Sequence, residues 1–492
     1  MLFTSAAFAF LYLPIVALVF YLLPGRHRTL AAGWLFAASV FFYGYWMPEF
    51  VALLLGSIVW NYSVGRRIAA RGARSPAAKR WLILGVAVNL LLLGYFKYAN
   101  FFVDSVNALV GTGWHLGEVL LPIGISFFTF TQIAFLADGY QKGVREFAFI
   151  HYGLFVTYFP HLIAGPVLHH AQMMPQFRDT ANDRFKAGNF VGGLAIFALG
   201  LFKKVVLADG ISPYADTVFN AVEAGARPDL VEAWIGALAY TFQLYFDFSG
   251  YSDMAIGLSW MFNIRLPYNF NSPYRATSIS EFWRRWHMSL SAFLRDYLYI
   301  PLGGSQKGPA RRYLNLFVTM LLGGLWHGAA WTFVVWGGLH GVYLAINHAF
   351  RALVARHAPH WPDRRAYRLA AWGITMLAVI IGWVFFRAES FGAASRMLEG
   401  MFSWHAPLGP AHALLWNAGL DVSRAGLWCA ALGAIAFLSP NSNRIGEQLL
   451  AQARARPRLC ATLGGAALSV ATLLVVINET RASASAFIYF NF

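Results

Sequence analysis

The feature that most constrains this chain is a series of long apolar blocks that contain no charged residue. Five of them are residues 4–23, 30–46, 81–96, 369–386 and 461–477. Each is close to the roughly 20 residues that a helix needs to cross about 30 Å of hydrocarbon. Only 12% of the 492 residues are charged, which is about half the usual fraction in a soluble domain. The sequence therefore predicts an all-α, polytopic membrane protein.

The basic residues cluster in alternate loops between these blocks. The clusters are Arg26 and Arg28; Arg66, Arg67, Arg71, Arg74, Lys79 and Arg80; Arg351, Arg356, Arg364, Arg365 and Arg368; and Arg444, Arg454, Arg456 and Arg458. Residues 104–118 contain no Lys or Arg, and residues 209–232 contain Arg227 alone. Basic loops stay on the cytoplasmic side of a membrane. This alternation predicts about twelve crossings, and we expect 11–13 transmembrane helices. It also explains the net charge of +16 without nucleic acid as a partner.

Two segments do not resemble simple spans. Residues 147–170 lie between two basic loops and contain helix breakers, so we expect them to enter and return or to lie in the interface. Residues 265–312 include a stretch that predicts an amphipathic helix with Ser280 as its N-cap. The apolar stripe of that helix, suited to the lipid headgroup zone, is Trp283, Trp286, His287, Leu290 and Leu294.

A third segment is too long for one span. Residues 313–350 are a run of 38, which as a single helix would reach about 57 Å. The segment must therefore break or turn back. Gly323, Gly324 and Gly328 mark the expected break, and His327 lies among them.

His327 and His340 are the two histidines of this apolar segment. Their spacing is wrong for a metal pair on one helix, and we expect no metal. A lone histidine on an apolar face is often only hydrogen-bonded to a carbonyl, but an ionisable residue at membrane depth favours a functional role. The chain has no GxSxG, Walker A or GxGxxG motif. Proton abstraction from a hydroxyl in acyl transfer, or proton relay in a transporter, remain as alternatives.

Several motifs together identify a family resemblance. They are "LPIGISFFTFTQIAFLADGY", "FPHLIAGPV", "FKKVVLAD", "YFDFSGYSDMAIG", "FNSPYRATSISEFW", "FWRRWHMSLSAFLRDYLYIPLGG" and "GGLWHGAAWTFVVWGGLHG". The chain resembles the membrane-bound O-acyltransferase family, in the branch of alginate O-acetyltransferases and teichoic-acid D-alanyl transfer proteins. The resemblance implies one integral-membrane domain over residues 1–492, with a core of about 120–350 and additional spans over about 369–477. It also implies tilted helices around a central tunnel.

The resemblance also assigns roles to single residues. His327 matches the family's catalytic histidine, a general base, and His287 matches a second histidine. Further candidates for the tunnel or the donor side are Trp326, Arg284, Arg285, Asp247 and His340. An alternative interpretation makes His340 a structural residue and Asp247 the ion-pair partner of Lys203 or Lys204.

We expect the chain to take an acyl group, acetyl above all, from a cytoplasmic thioester for O-acetylation of an exported polysaccharide such as alginate. Acetyl-coenzyme A or an acyl-carrier thioester is the expected donor, with no bound cofactor. Periplasmic acetylation proteins are the expected partners, and the bacterial inner membrane the expected location. The alternatives are D-alanyl or other acyl transfer to a cell-envelope polymer, or an acyl relay that serves a separate periplasmic transferase.

Overall fold

The fold was analysed in a computed structural model that describes residues 1–23, 29–146, 148–163, 165–403, 413–481 and 487–488. The described residues form helices, turns and irregular segments, with no strand among them. The prediction of an all-α fold is confirmed. Arg26 and Arg28 of the first basic cluster lie outside the described residues.

Eleven α-helices precede the segment that carries His287. In chain order they are α1 (Leu13–Leu22), α2 (Leu30–Gly44), α3 (Val51–Arg71), α4 (Pro76–Leu93), α5 (Ala99–Val110), α6 (Ile125–Lys142), α7 (Phe149–Thr157), α8 (His170–Arg178), α9 (Ala187–Leu201), α10 (Asp209–Glu223) and α11 (Leu230–Met261).

The remaining described α-helices begin at residue 279. They are α12 (Ile279–Trp283), α13 (Met288–Leu294), α14 (Gly308–His327), α15 (Trp331–His357), α16 (Arg365–Arg387), α17 (Phe391–Phe402), α18 (Leu414–Asn417), α19 (Val422–Leu438), α20 (Ser442–Ala455) and α21 (Pro457–Glu479). Short π-helical segments occur as well, and one of them, Phe202–Ala208, joins α9 to α10.

The chain divides into two compact units. The first contains Met1–Leu201, Tyr251–Tyr268 and Ser442–Ala486, and the second contains Phe202–Gly250, Asn269–Asn441 and Phe487–Phe492. The long helix α11 contributes residues to both.

The first unit is held together by close helix contacts and a few buried polar pairs. Asn61 on α3 and Asn89 on α4 exchange side-chain hydrogen bonds of 2.6 and 3.2 Å, and both are buried. Such pairs satisfy polar groups that would be costly to bury alone. Within the predicted irregular segment 147–170, α7 ends at Thr157 and none of the described residues between it and His170 begins a helix, while Tyr158 and Phe159 are fully buried. The predicted interruption is present.

The second unit contains the α14–α15 hairpin. The predicted break of residues 313–350 is present: α14 ends at His327 and α15 begins at Trp331. Gly324 and Gly337 face each other across the hairpin, because a Cβ at Gly324 would lie 2.9 Å from the Cα of Gly337. Two glycines therefore let the helix backbones approach closely, as small residues do in membrane helix pairs.

Four described helical segments are long and apolar enough to cross a membrane by length and composition. They are Pro76–Val110, Ala187–Glu223, Arg365–Arg387 and Arg458–Glu479. A fifth arises if α19 and α20, bent by 61° at their break, count as one span. Two apolar segments, Ala7–Leu22 and Leu30–Gly44, are shorter. The described helices thus fit a multi-pass membrane protein. The number of long apolar helices among them, four or five, is smaller than the 11–13 transmembrane helices expected.

Candidate active site

His327 is the last residue of α14 and is almost completely buried. Aromatic rings surround its imidazole. The ring centroids of Trp326, Trp336 and Phe386 lie 5.0, 5.1 and 5.3 Å from that of His327, all in edge-on arrangements. Edge-to-face contacts fix the orientation of a ring, so the imidazole has a defined direction even though it ends a helix.

Gly328 makes room for this arrangement. Its backbone is extended, so glycine is not needed there for an unusual torsion. A Cβ at this position would instead overlap the ring of Phe333. Phe333 packs edge-on against Phe386 at 5.0 Å, and Phe386 contacts His327. The glycine after the histidine therefore leaves room for Phe333. Trp336, Phe386 and Phe333 together form what we call the aromatic wall of His327.

His287 lies at a second helix break, which corrects the sequence analysis. The sequence predicts a single helix from Ser280, but α12 ends at Trp283 and α13 begins at Met288. The N-cap of α12 is Ser278, whose side chain accepts the N–H of Glu281. The single-helix prediction is wrong because His287 adopts a left-handed conformation, with φ of 44°, which interrupts helical geometry.

The side chain of Asn269 holds this break in place. Its Oδ1 lies 3.2 Å from His287 Nδ1 and accepts the Ser289 hydroxyl at 2.7 Å, while its backbone carbonyl accepts the Met288 N–H at 2.9 Å. With an amide oxygen as its neighbour, His287 Nδ1 carries the hydrogen, and Nε2 carries the lone pair of the neutral ring. The hydrogen position follows from this hydrogen bond.

The two breaks bring the two predicted histidines together. The ring centroids of His287 and His327 are 6.4 Å apart, and Trp326 lies 6.4 Å from His287. His287 is fully buried, with Phe248 edge-on to its ring at 4.8 Å. The sequence separates the two histidines by 40 positions, and the tertiary fold places them as neighbours.

The predicted lipid-facing stripe is also corrected. Trp283, Trp286, Leu290 and Leu294 are all buried, so they form part of the protein core. Trp286 packs against Trp383 of α16 at 4.9 Å. The helical spacing of these residues does mark one apolar face, but neighbouring helices cover that face.

The two arginines beside His287 differ in their surroundings. Arg285 forms an ion pair with Glu281, with 2.7 Å between Nη2 and Oε1. Partial burial would raise the pKa of Glu281, but hydrogen bonds from Thr277 and the Arg285 guanidinium hold that pKa below its usual value. Arg284 is exposed and donates to the Ser280 carbonyl at 3.2 Å. Arg284 is thus the more accessible cation of the pair.

His340 lies on α15, outside the direct contacts of His327 but connected to it through Trp336. Trp336 is 5.1 Å from His327 and 5.0 Å from His340. The indole N–H of Trp283 donates to His340 Nδ1 at 3.2 Å, and His340 is fully buried. His340 therefore acts as a hydrogen-bond acceptor within the aromatic core, and the structural alternative fits this contact.

Asp247, on α11, forms the ion pair that the sequence analysis suggested. Lys204 Nζ lies 2.7 Å from Asp247 Oδ1 and 2.8 Å from Asp209 Oδ1. All three side chains are buried. Lys203 instead donates to the Ser249 hydroxyl at 3.1 Å. A buried charge is costly unless it is paired, so this cluster compensates charges inside the apolar segment.

Sequence reasoning missed Asn269 and three aromatic residues around the two histidines, namely Trp336, Phe386 and Trp383, which packs against both of the others. Trp383 and Phe386 lie on α16, which is outside the predicted core of about 120–350. No local pattern marks these residues, since apolar rings are frequent in every block of the chain. Only the tertiary contacts distinguish them.

The sequence model of the membrane-bound O-acyltransferase family matches residues 140–388, a range that includes both histidines and α16.

Three relatives illustrate the spread of similarity. The probable alginate O-acetylase of Pseudomonas aeruginosa is 49% identical over 82% of this chain and 75% of its own length. The peptidoglycan O-acetyltransferase of Helicobacter pylori is 43% identical over 82% of this chain and 80% of its own length. The teichoic acid D-alanyltransferase of Bacillus subtilis is 26% identical over 55% of this chain and 69% of its own length. The predicted resemblance is confirmed: the chain is an O-acyltransferase that belongs to the membrane-bound O-acyltransferase family.

Proposed function

We propose that this chain transfers an acetyl group from a cytoplasmic thioester for the O-acetylation of an exported polysaccharide, with His327 as the general base. The observation that carries the proposal is the placement of His327 and His287, whose ring centroids are 6.4 Å apart at two helix breaks. Two buried imidazoles side by side are suited to moving a proton between a hydroxyl and a leaving group.

The proposed reaction conserves atoms and charge. His327 takes the proton of the acceptor hydroxyl while the hydroxyl oxygen forms a bond to the thioester carbonyl carbon. The carbon–sulfur bond then breaks, and the thiolate receives the proton from the imidazolium. General-base catalysis of this kind contributes roughly 10²–10⁴-fold. The aromatic wall of Trp336 and Phe386 excludes water and fixes the ring, which contributes through orientation.

His287 takes a positioning role in this proposal. Because Asn269 keeps the hydrogen on Nδ1, the lone pair on Nε2 is directed away from that amide. A neutral imidazole of this tautomer accepts a hydrogen bond from a hydroxyl and so orients the acceptor toward His327. The exposed Arg284 supplies positive charge for an anionic donor.

The names of the relatives support acetyl as the acyl group. Both the Pseudomonas aeruginosa and the Helicobacter pylori proteins are named for O-acetyl transfer, and each is more than 40% identical to this chain. The D-alanyltransferase is more distant. Acetyl-coenzyme A or an acetylated carrier is the proposed donor, and a polysaccharide such as alginate is the proposed acceptor. Periplasmic acetylation proteins are the proposed partners, and the bacterial inner membrane is the proposed location.

The test uses purified protein in proteoliposomes with radiolabelled acetyl-coenzyme A and soluble alginate. Labelled polysaccharide and release of the coenzyme A thiol are both measured. We expect wild-type protein to transfer label and His327→Ala to lose transfer by at least roughly 10²-fold. His357→Ala, an exposed histidine at the end of the long helix α15, is the matched control and keeps wild-type rates.

Replacing the donor with a D-alanyl thioester distinguishes the alternative acyl group. Transfer of D-alanine in place of acetate would contradict the acetyl assignment but not the role of His327. Thiol release without labelled polysaccharide would contradict transfer to the polysaccharide by this chain alone, and would assign the released thiol to thioester hydrolysis or to an acyl relay that needs a separate transferase. Full activity of His327→Ala would contradict the catalytic proposal itself.

A further inference from the structure

A cavity of about 250 Å³ lies in the first compact unit, among residues that the acyl-transfer proposal does not use. Three cationic side chains line it: Lys186, Arg265 and Arg454. The other lining residues are mostly Asn and Gln, together with the buried apolar residues Trp260 and Leu450. A mostly polar cavity that is lined by three cations (its rim) and a few apolar side chains has the form of a binding site for an anion with an organic part.

Amide side chains build a rigid frame around the cavity. The buried Asn263, with φ of 62°, donates through Nδ2 to the carbonyls of Asn182 and Arg184 at 2.7 and 2.9 Å. Gln176 donates to the Arg265 carbonyl at 3.0 Å and accepts the Arg265 N–H at 2.7 Å. These bonds tie the segment before α9 to the turn after α11.

Side-chain oxygens of the same frame already accept hydrogen bonds from within the protein. Asn263 Oδ1 accepts a hydrogen bond from the side-chain Nδ2 of Asn189 at 2.7 Å, and Asn189 Oδ1 accepts one from Arg454 Nε at 2.7 Å. Gln176 Oε1 is used by the Arg265 backbone. These three side-chain oxygens are therefore engaged, and the charged side chains that line the cavity are all cationic.

The position of Arg454 depends on a glycine. A Cβ at Gly188 would lie 2.8 Å from Arg454 Cγ and 3.0 Å from its Cα, so only glycine allows α20 to bring this arginine so close to α9. Within the described residues no carboxylate lies within 4.0 Å of Lys186 or Arg454, while Arg265 faces Glu447 at 3.4 Å. The rim thus keeps a net positive charge.

We propose that this cavity binds the phosphate of an anionic ligand, and that the ligand is the headgroup of an anionic phospholipid. Arginine and lysine are the usual partners of phosphate. A lipid is favoured over a soluble phosphate ester because Phe185, next to Lys186, is 58% exposed, as expected of an aromatic side chain at a membrane interface. The alternation of basic loops predicts that this rim lies on the cytoplasmic side, where anionic lipids attract polybasic surfaces.

The test measures phosphatidylglycerol binding to the purified full-length protein in detergent by native mass spectrometry. Lys186→Gln/Arg454→Gln removes two rim cations, and we expect the apparent affinity for phosphatidylglycerol to fall about tenfold or more. Arg444→Gln/Arg458→Gln is the matched control, because it also removes two cations from this region, Arg444 in α20 and Arg458 at the start of α21, and neither residue lines the cavity. We expect this control to bind as wild type.

Two further arms identify the source of the phosphate. Phosphatidylcholine, a zwitterionic lipid, should bind wild type and variant equally, and glycerol 3-phosphate should not displace phosphatidylglycerol. Displacement by glycerol 3-phosphate would assign a soluble phosphate ester instead of a lipid. Equal affinity for phosphatidylglycerol in the cavity variant and wild type would overturn the site. If the double variant does not fold, Lys186→Gln, at an exposed position, gives the same comparison with a smaller change.

Discussion

The two histidines of the candidate active site both lie where a helix breaks, but the two breaks are built differently. At His327 the histidine keeps helical geometry, and the following glycine makes room for Phe333. At His287 the histidine itself takes the left-handed conformation, and a distant side chain, Asn269, holds it. The first break depends on missing volume and the second on a hydrogen bond. They should therefore respond to different substitutions.

Gly328→Ala should have the largest effect of the variants that test this difference. A methyl group there overlaps the ring of Phe333, so the aromatic wall must shift and the His327 ring with it. A misplacement of about 1 Å costs roughly 10²-fold in rate, and overpacking costs about 1–3 kcal/mol in the free energy of unfolding. Acetyl transfer and thermal unfolding measure the two effects.

Gly373→Ala is the control for that substitution. Gly373 lies on α16, and a methyl group added there would have no neighbouring atom within 4 Å, so we expect no loss of activity. Equal behaviour of the two alanine variants would contradict the volume argument at Gly328.

Asn269→Ala tests the hydrogen bond at the second break. It removes the acceptor that faces His287 Nδ1, and loss of a buried partner costs about 1–3 kcal/mol. We expect activity to fall about tenfold as the ring loses its fixed direction. Ser289→Ala removes a different donor to the same oxygen and should lower the unfolding free energy with little change in activity. An equal loss of activity in both variants would assign Asn269 a purely structural role.

His287→Gly and His287→Ala sharpen the backbone part of the comparison. Both remove the imidazole, but only glycine adopts φ of 44° without strain. We expect the glycine variant to be more stable than the alanine variant by about 1 kcal/mol, with equally low activity in both. Measurement of thermal unfolding midpoints checks this. A glycine variant that is less stable than the alanine variant would show that any strain at His287 is smaller than the extra backbone entropy that glycine loses on folding.

Trp283→Phe should have the smallest effect. It removes the indole N–H that His340 Nδ1 accepts and leaves the contacts of His327 in place. We expect a loss of about 1 kcal/mol in unfolding free energy and activity close to that of wild type. Trp416→Phe, at a 66% exposed position, is the matched control. A large loss of activity in Trp283→Phe would show that His340 takes part in the reaction and is more than a structural residue.

Sequence reasoning located the first break but not the second, and the reason is physical. Length alone shows that residues 313–350 cannot be one span, and glycines mark where they turn. The break at His287 depends on Asn269, which lies 18 positions earlier and forms the contact only in the folded chain. A prediction based on local helix propensity therefore continues the helix through His287.

The same limit applies to the environment of the site. One interpretation of the sequence pairs Asp247 with Lys203 or Lys204, since buried charges need partners, and the structure contains the pair with Lys204. Trp383 and Phe386 were missed because an apolar block does not indicate which of its rings faces a histidine. Residue types with a strong energetic requirement were predictable, and interchangeable apolar contacts were not.

The central claim is that His327 contacts the reacting groups, and a structure with a non-hydrolysable thioether analogue of acetyl-coenzyme A tests it most directly. The account predicts that the analogue's carbonyl lies beside the His327 imidazole. The space between them should let an attacking hydroxyl oxygen lie within about 3–4 Å of the carbonyl carbon. An analogue bound with that carbonyl away from His327 and His287, in a protein that remains active, would contradict it.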